Sequence, residues 1–256
     1  MELISLHNVN AGYDGKVILH NVNLTISATD FIGVIGPNGG GKTTLLKVLL
    51  GILKPYSGSV EYAEVKRNLF GYLPQNQTFD KNFPITVKEI VLSGLMSHKG
   101  IFGRYSAADK CKASELLEKY GLHEYENKAV GELSGGQAQR ALLCRAVISD
   151  PKILVLDEPA TYVDSGFEKE LYSILDTLNE KMAIVMVSHD LGTVCSYVKS
   201  IACVNKYVHF HNSNKITDEE LRAYDCPIEL LCHGDVPHRV LHSHDAPHSE
   251  RCGCQK

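Results

Sequence analysis

The chain of 256 residues is 44% hydrophobic and 22% charged, the balance of a globular protein that forms one large domain or two small ones. A formal net charge of −4 gives no electrostatic footprint for nucleic acid, so no nucleic-acid partner is expected. No apolar run approaches the roughly 18 residues that span a bilayer, and Met1-Glu2 does not open the basic-then-apolar pattern of a signal peptide, so any role at a membrane is expected to run through a partner protein.

Residues 1–30 read as strands: Val22, Leu24 and Ile26 alternate with Asn23, Thr25 and Ser27, the period of a half-buried antiparallel strand. Tyr13 lies in the turn Ala11–Gly15, where an aromatic is either packed or free to stack on an adenine ring. Phe31–Ile35 is a short apolar run of the buried-strand kind, and Thr44–Leu50 reads as a helix stopped by Gly51. Between them Gly36-Pro37-Asn38-Gly39-Gly40-Gly41-Lys42-Thr43-Thr44 matches G-x-x-x-x-G-K-[ST], a phosphate-binding loop in its required strand–loop–helix setting. Glycines there let the backbone curl and aim N–H groups at phosphate oxygens, and the helix N-terminus adds partial positive charge. Lys42 is expected to reach the β- and γ-phosphates of ATP, and the Thr43 hydroxyl to ligate Mg²⁺.

Further on, Tyr56–Ser59 reads as a turn and Asn68–Leu73 as a strand ended by Pro74, with Gln75 next. Thr86 and Glu89 form a capping box, and a longer helix runs from about Ser106 to Tyr120, ending at Gly121. Residues 76–146 thus read as a mostly helical insertion. Leu133-Ser134-Gly135-Gly136-Gln137 leads into another helix. Ile153–Leu156 is an apolar strand that ends in Asp157-Glu158, and Ala183–Val187 is another, closed by Ser188-His189-Asp190. Short apolar strands joined by helices imply a mostly parallel sheet covered on both faces. An aspartate at the carboxyl end of such a strand holds Mg²⁺, which is the expected role of Asp157. Glu158 is placed to polarise an attacking water as general base, His189 to touch the γ-phosphate, and Gln75 to bond a Mg²⁺ water.

Taken in order, these residues resemble the nucleotide-binding subunit of ABC transporters over about residues 1–205. Tyr13 matches that family's A-loop, Gly36–Thr44 Walker A, and Gln75 the Q-loop. Leu133–Gln137 matches the signature motif, Ile153–Glu158 Walker B, Asp164 the D-loop, and His189 the H-loop. In the D-loop region Ala160–Asp164, Tyr162 occupies a place where the family often has a small residue. The resemblance implies an α/β fold: a P-loop NTPase core, an N-terminal antiparallel β subdomain and an inserted helical subdomain at about 76–146. It also implies a head-to-tail dimer in which Ser134, Gly135 and Gly136 of one copy face the γ-phosphate held by Lys42 of the other. Gln75 and the helical region would then pass closure to integral membrane permease subunits. DNA-organising relatives insert long coiled coils between the Walker motifs, for which residues 45–132 leave no room, and translation factors of the family carry two motif sets where this chain has one.

Residues 206–256 form a compositionally distinct extension: seven of twelve histidines and four of eight cysteines fall there. His and Cys suit zinc, although the spacings are not those of a structural zinc module, and an adventitious polar tail is the equal alternative. All eight cysteines are expected to be reduced thiols. Cys226–Leu241 resembles the C-terminal segment of zinc- and manganese-uptake ATPases. The implied function is the ATPase of a metal-ion importer, zinc first, at the cytoplasmic face of the membrane, beside an extracytoplasmic metal-binding protein. Manganese or iron import, an exporter ATPase, and a non-transport ABC ATPase are the alternatives.

Overall fold

The computed structural model describes residues 1–63, 69–75, 84–99, 103–159, 165–188, 196–214, 230–233 and 236–239. Asp164, Tyr162, His189, Cys226 and the segment 241–256 lie outside them.

β1 (Glu2–Tyr13) and β2 (Lys16–Ser27) form an antiparallel hairpin, and β4 (Ser57–Tyr62) pairs with the other edge of β1. The alternation read along β2 is present: Val22, Leu24 and Ile26 are buried while Asn21, Asn23 and Thr25 face out. β4 replaces the turn expected at Tyr56–Ser59. Its Gly58 sits at φ +85°, where a Cβ would stand 2.5 Å from the carbonyl oxygens of His7 and Asn8. The turn-like composition therefore serves a close strand crossing.

The second sheet has the order β5-β6-β7-β3-β8-β9. β3 (Phe31–Ile35), β5 (Phe70–Leu73), β6 (Ile153–Asp157), β7 (Ala183–Val187) and β8 (Ser200–Asn205) run parallel, and β9 (Tyr207–His211) returns antiparallel along β8. β3, β6 and β7 are buried at every residue. That is why they read as continuous apolar runs: each side chain meets one of two cores. Ile32, Val34, Ile153, Val155 and Val185 pack with α1 (Lys42–Leu49) and the antiparallel sheet. Phe31, Ile35, Leu154, Leu156, Ile184 and Met186 pack on the opposite side with α5 (Gly135–Val147) and α6 (Ser165–Asn179). Leu154 lies in a strand flanked on both sides, and Leu154→Ala should cost about 3 kcal/mol. The measurement is a lower urea midpoint with an unchanged slope.

The helical insertion is built on α2 (Val87–Ser93), the short α3 (Met96–Lys99), α4 (Ala107–Lys119) and α5. Thr86 with Glu89 and Ser106 with Asp109 form complete capping boxes, so both helices begin where their side chains satisfy the first backbone donors. α5 is shared between two cores. Leu142, Leu143, Ala146 and Val147 face the parallel sheet, while Ala141, Cys144 and Ile148 join α2 and α4. Burial pushes the Cys144 thiol up to about 12, which makes it a packing residue and chemically inert. β10 (Leu230–His233) and β11 (Val236–Arg239) pair as a hairpin within the extension.

Candidate nucleotide site

Sheet register explains most of the site. β5 and β6 are parallel with Leu73 beside Leu156, so two residues further on Gln75 stands beside Glu158. The side chains meet there: the Gln75 amide Nε2 donates a hydrogen bond to Glu158 Oε2. Asp157 closes β6 and is only 3% exposed, whereas Glu158 is turned out at the strand end. Glu158 achieves this with a left-handed backbone, φ +53°, held by its N–H donating to Val187 O at 3.0 Å. For a residue with a Cβ that conformation costs about 1–3 kcal/mol, a strain that clusters at working sites.

β3 lies on the far side of β7, and its carboxyl end feeds the glycine loop. Gly36 has φ +149°, and a Cβ there would lie 2.0 Å from Val204 O of β8. No other residue fits without moving a strand of the sheet. Gly41, with φ +110°, turns the chain into α1. Lys42 is 7% exposed, and its ammonium donates to Gly36 O at 2.8 Å and Pro37 O at 3.0 Å, lying across the loop it follows. Desolvation lowers its pKa below the ordinary lysine value, against the opposing pull of Glu158 and Asp157. Thr43 is exposed and Thr44 buried. One cavity of about 440 Å³ collects much of the set: Pro37, Asn38, Gly39, Gly41, Lys42, Thr43, Thr44, Gln75 and Glu158 line it, together with Ile18 of β2, whereas Gly36, Gly40 and the buried Asp157 do not.

Tyr13 and the Ser134–Gln137 stretch are not among the lining residues of that cavity. Tyr13 stands at the two-residue turn Asp14-Gly15, 37% exposed, with Lys47 Nζ of α1 5.3 Å from its ring centre. One ring face thus carries a cation. Ser134 caps α5 through a box with Gln137: Gln137 N–H donates to Ser134 Oγ at 3.3 Å, and Ser134 N–H donates to Gln137 Oε1 at 3.0 Å. Ser134 and Gly135 are exposed at that helix N-terminus. Such a helix end carries partial positive charge and unpaired N–H donors, the chemistry that suits an anion.

Two residues of the site region escaped the sequence reading. Ile18 supplies an apolar wall, and in the run Val17-Ile18-Leu19 no alternation singles it out. Gln139 Nε2 donates to Pro159 O at 2.8 Å, tying α5 to the residue after Glu158, and no spacing rule points to it. Asp164 and His189 fall outside the described residues, although His189 follows directly on Ser188, whose N–H is 3.4 Å from Val34 O.

This geometry has known counterparts. The family model described as ABC transporter matches residues 19–161. A Thermotoga maritima protein named "Probable metal transport system ATP-binding protein" is 36% identical over 248 residues, covering 96% of this chain and 99% of its own. The zinc uptake system ATP-binding protein ZurA of Listeria monocytogenes is 38% identical over 221 residues, 83% of this chain and 86% of its own. Among solved structures, a bacterial ABC transporter cassette determined as a dimer superposes with a TM-score of 0.70 at 26% identity, covering 84% of this chain and 100% of that one.

Proposed function

Because this chain belongs to the ABC transporter family, we propose that it is the ATP-hydrolysing, energy-coupling subunit of a metal-ion importer whose cargo is zinc. The observation that carries the ATPase half is the single cavity that brings Lys42, Thr43, Gln75 and Glu158 together. The cargo rests on near full-length likeness to a metal transport subunit and on the zinc uptake relative.

The residues fit magnesium and a nucleoside triphosphate. Hard oxygen donors stand at Thr43 and Asp157, a buried ammonium at Lys42, and the loop's close-packed glycines leave backbone where side chains would otherwise stand. Magnesium, held by Thr43 and Asp157, would neutralise charge on the phosphates. Lys42 would exchange the carbonyls of Gly36 and Pro37 for phosphate oxygens. Glu158 would take the proton of the attacking water, with the Gln75 amide releasing the Glu158 carboxylate as the metal and its waters arrive. His189 would contact the γ-phosphate, and Tyr13 would offer the ring face opposite Lys47 to adenine. Ser134–Gly136 and Asp164 of a second copy would complete the site.

In this reading residues 1–205 are the ATP-binding domain and 76–146 the helical region that meets integral permease subunits. No helix among the described residues is long and apolar enough to cross a membrane, so the subunit would sit at the cytoplasmic face through those permeases. An extracytoplasmic metal-binding protein would deliver the ion. The test is ATPase activity of the complex reconstituted in lipid with its permease: zinc should stimulate it most, and manganese or iron doing so instead would reassign the cargo.

The extension is proposed to bind zinc through its His and Cys residues and to restrain the ATPase when cytoplasmic zinc is high. The described residues hold no cluster of three or more metal-ligating side chains, and most of the extension lies beyond them. Deleting 232–256 should leave transport active at high internal zinc, and unchanged zinc sensitivity would remove the sensor.

A further inference from the structure

The phosphate loop is braced from outside itself, by the turn between β8 and β9. Asn205 pairs with Tyr207 across this turn, so the chain reverses on the single residue Lys206, exposed and left-handed at φ +59°. Lys206 N–H donates to Gly40 O at 2.9 Å, and Lys206 O accepts from His20 N–H of β2 at 2.7 Å. Two residues before it, Val204 O presses on the same loop: a Cβ would lie 2.0 Å from it at Gly36 and 2.7 Å at Gly40. One residue therefore links the antiparallel sheet, the parallel sheet and the base of the loop.

We propose that Lys206 is a positioning residue for nucleotide binding, acting through its backbone N–H on Gly40 and not through its side chain. Gly40 is also tied within the loop by its N–H to Pro37 O at 3.1 Å, so the peptide units on both sides of its Cα are held. With the Gly40 carbonyl held toward β9, the N–H groups that follow are oriented into the cavity, which preorganises the loop before phosphate arrives. Lys206 is also the first residue of the His/Cys-rich extension as the sequence divides it. The extension thus begins inside the nucleotide site's support, and β9 is the rod that connects the two. The proposal rests on the reading of Gly36–Thr44 as the phosphate site.

The test uses the full chain with a backbone ester at the Asn205–Lys206 linkage, which replaces the Lys206 N–H by oxygen without constraining φ. ATP, ADP and adenosine are titrated calorimetrically. ATP and ADP should both bind roughly three- to tenfold more weakly, the span carried by one backbone hydrogen bond. Adenosine, which lacks phosphate, should bind as it does to the unmodified chain. Lys206→Gly keeps the N–H and welcomes a positive φ, so it should retain ATP affinity within about twofold. Lys206→Pro loses the N–H and cannot adopt the φ, so it should match or exceed the ester's loss. If the ester binds ATP like the unmodified chain while Lys42→Ala does not, the brace is overturned and the phosphate site stands. If Lys42→Ala also binds normally, the phosphate-site reading fails first. An equal loss for adenosine would mean general loosening of the fold and would equally overturn the positioning role.

Discussion

Glu158→Gln should lower the turnover of ATP by about 10²–10⁴-fold while leaving its dissociation constant within about threefold. The substitution is nearly isosteric and leaves an amide oxygen to accept the Gln75 Nε2 hydrogen bond, so the strand-end geometry has no reason to change. The left-handed backbone at this position is set by the Glu158 N–H to Val187 O bond, which the side chain does not enter. What changes is charge. Glu158 raises the Lys42 pKa against desolvation, so its neutralisation slightly weakens the field that keeps Lys42 protonated. It also removes a carboxylate from a cavity that must receive a polyanion. The second effect acts on the bound state and should make the ATP-loaded chain persist, visible as an ATP-dependent dimer by size exclusion without magnesium-driven decay. Single-turnover hydrolysis within tenfold of the unmodified chain would reassign the base. Lys42→Ala is the opposite case, losing binding itself, because the buried ammonium is the loop's one cation among the residues lining the cavity.

The parts of this arrangement legible from sequence are those in which one residue type has one physical use. Phe31–Ile35, Ile153–Leu156 and Ala183–Val187 could be read because strands buried on both faces have no polar residues to alternate with. Thr86 and Ser106 announce their helices because a cap needs an acceptor three residues before a donor. β4 was hidden: Ser57-Gly58-Ser59 has the composition of a turn, and only its distant partner β1 makes it a strand. β9 was hidden for a similar reason. Val208 and Phe210 pack toward the core and alternate with Tyr207, His209 and His211, a pattern too short to separate from a polar tail. The meeting of Gln75 and Glu158 depends on the Leu73–Leu156 register, and register is a property of two strands that neither sequence carries alone.

Two inactive variants, mixed, should recover activity. Gly135→Asp places a carboxylate at the first residue of α5, where it favours the helix N-terminus yet repels an incoming γ-phosphate. The position is exposed, so the fold should accept it and ATP should still bind at the chain's own Lys42. Hydrolysis should fall about 10²-fold or more, since the helix end and its N–H donors would no longer complete the phosphate site. Lys42→Ala should be inactive for the complementary reason. In a head-to-tail pair of one Gly135→Asp chain and one Lys42→Ala chain, both defects fall in the same composite site, and the other site receives an intact loop and an intact signature. Random pairing makes half the dimers mixed, each with one good site of two, so an equimolar mixture with independent sites should reach about a quarter of the unmodified rate. The rate is read at saturating ATP after the two proteins are combined. A mixture no faster than the two variants measured apart would mean that Ser134–Gly136 never meets a partner's phosphate. The outward-facing end of α5 would then have to be explained by contacts to some other anion.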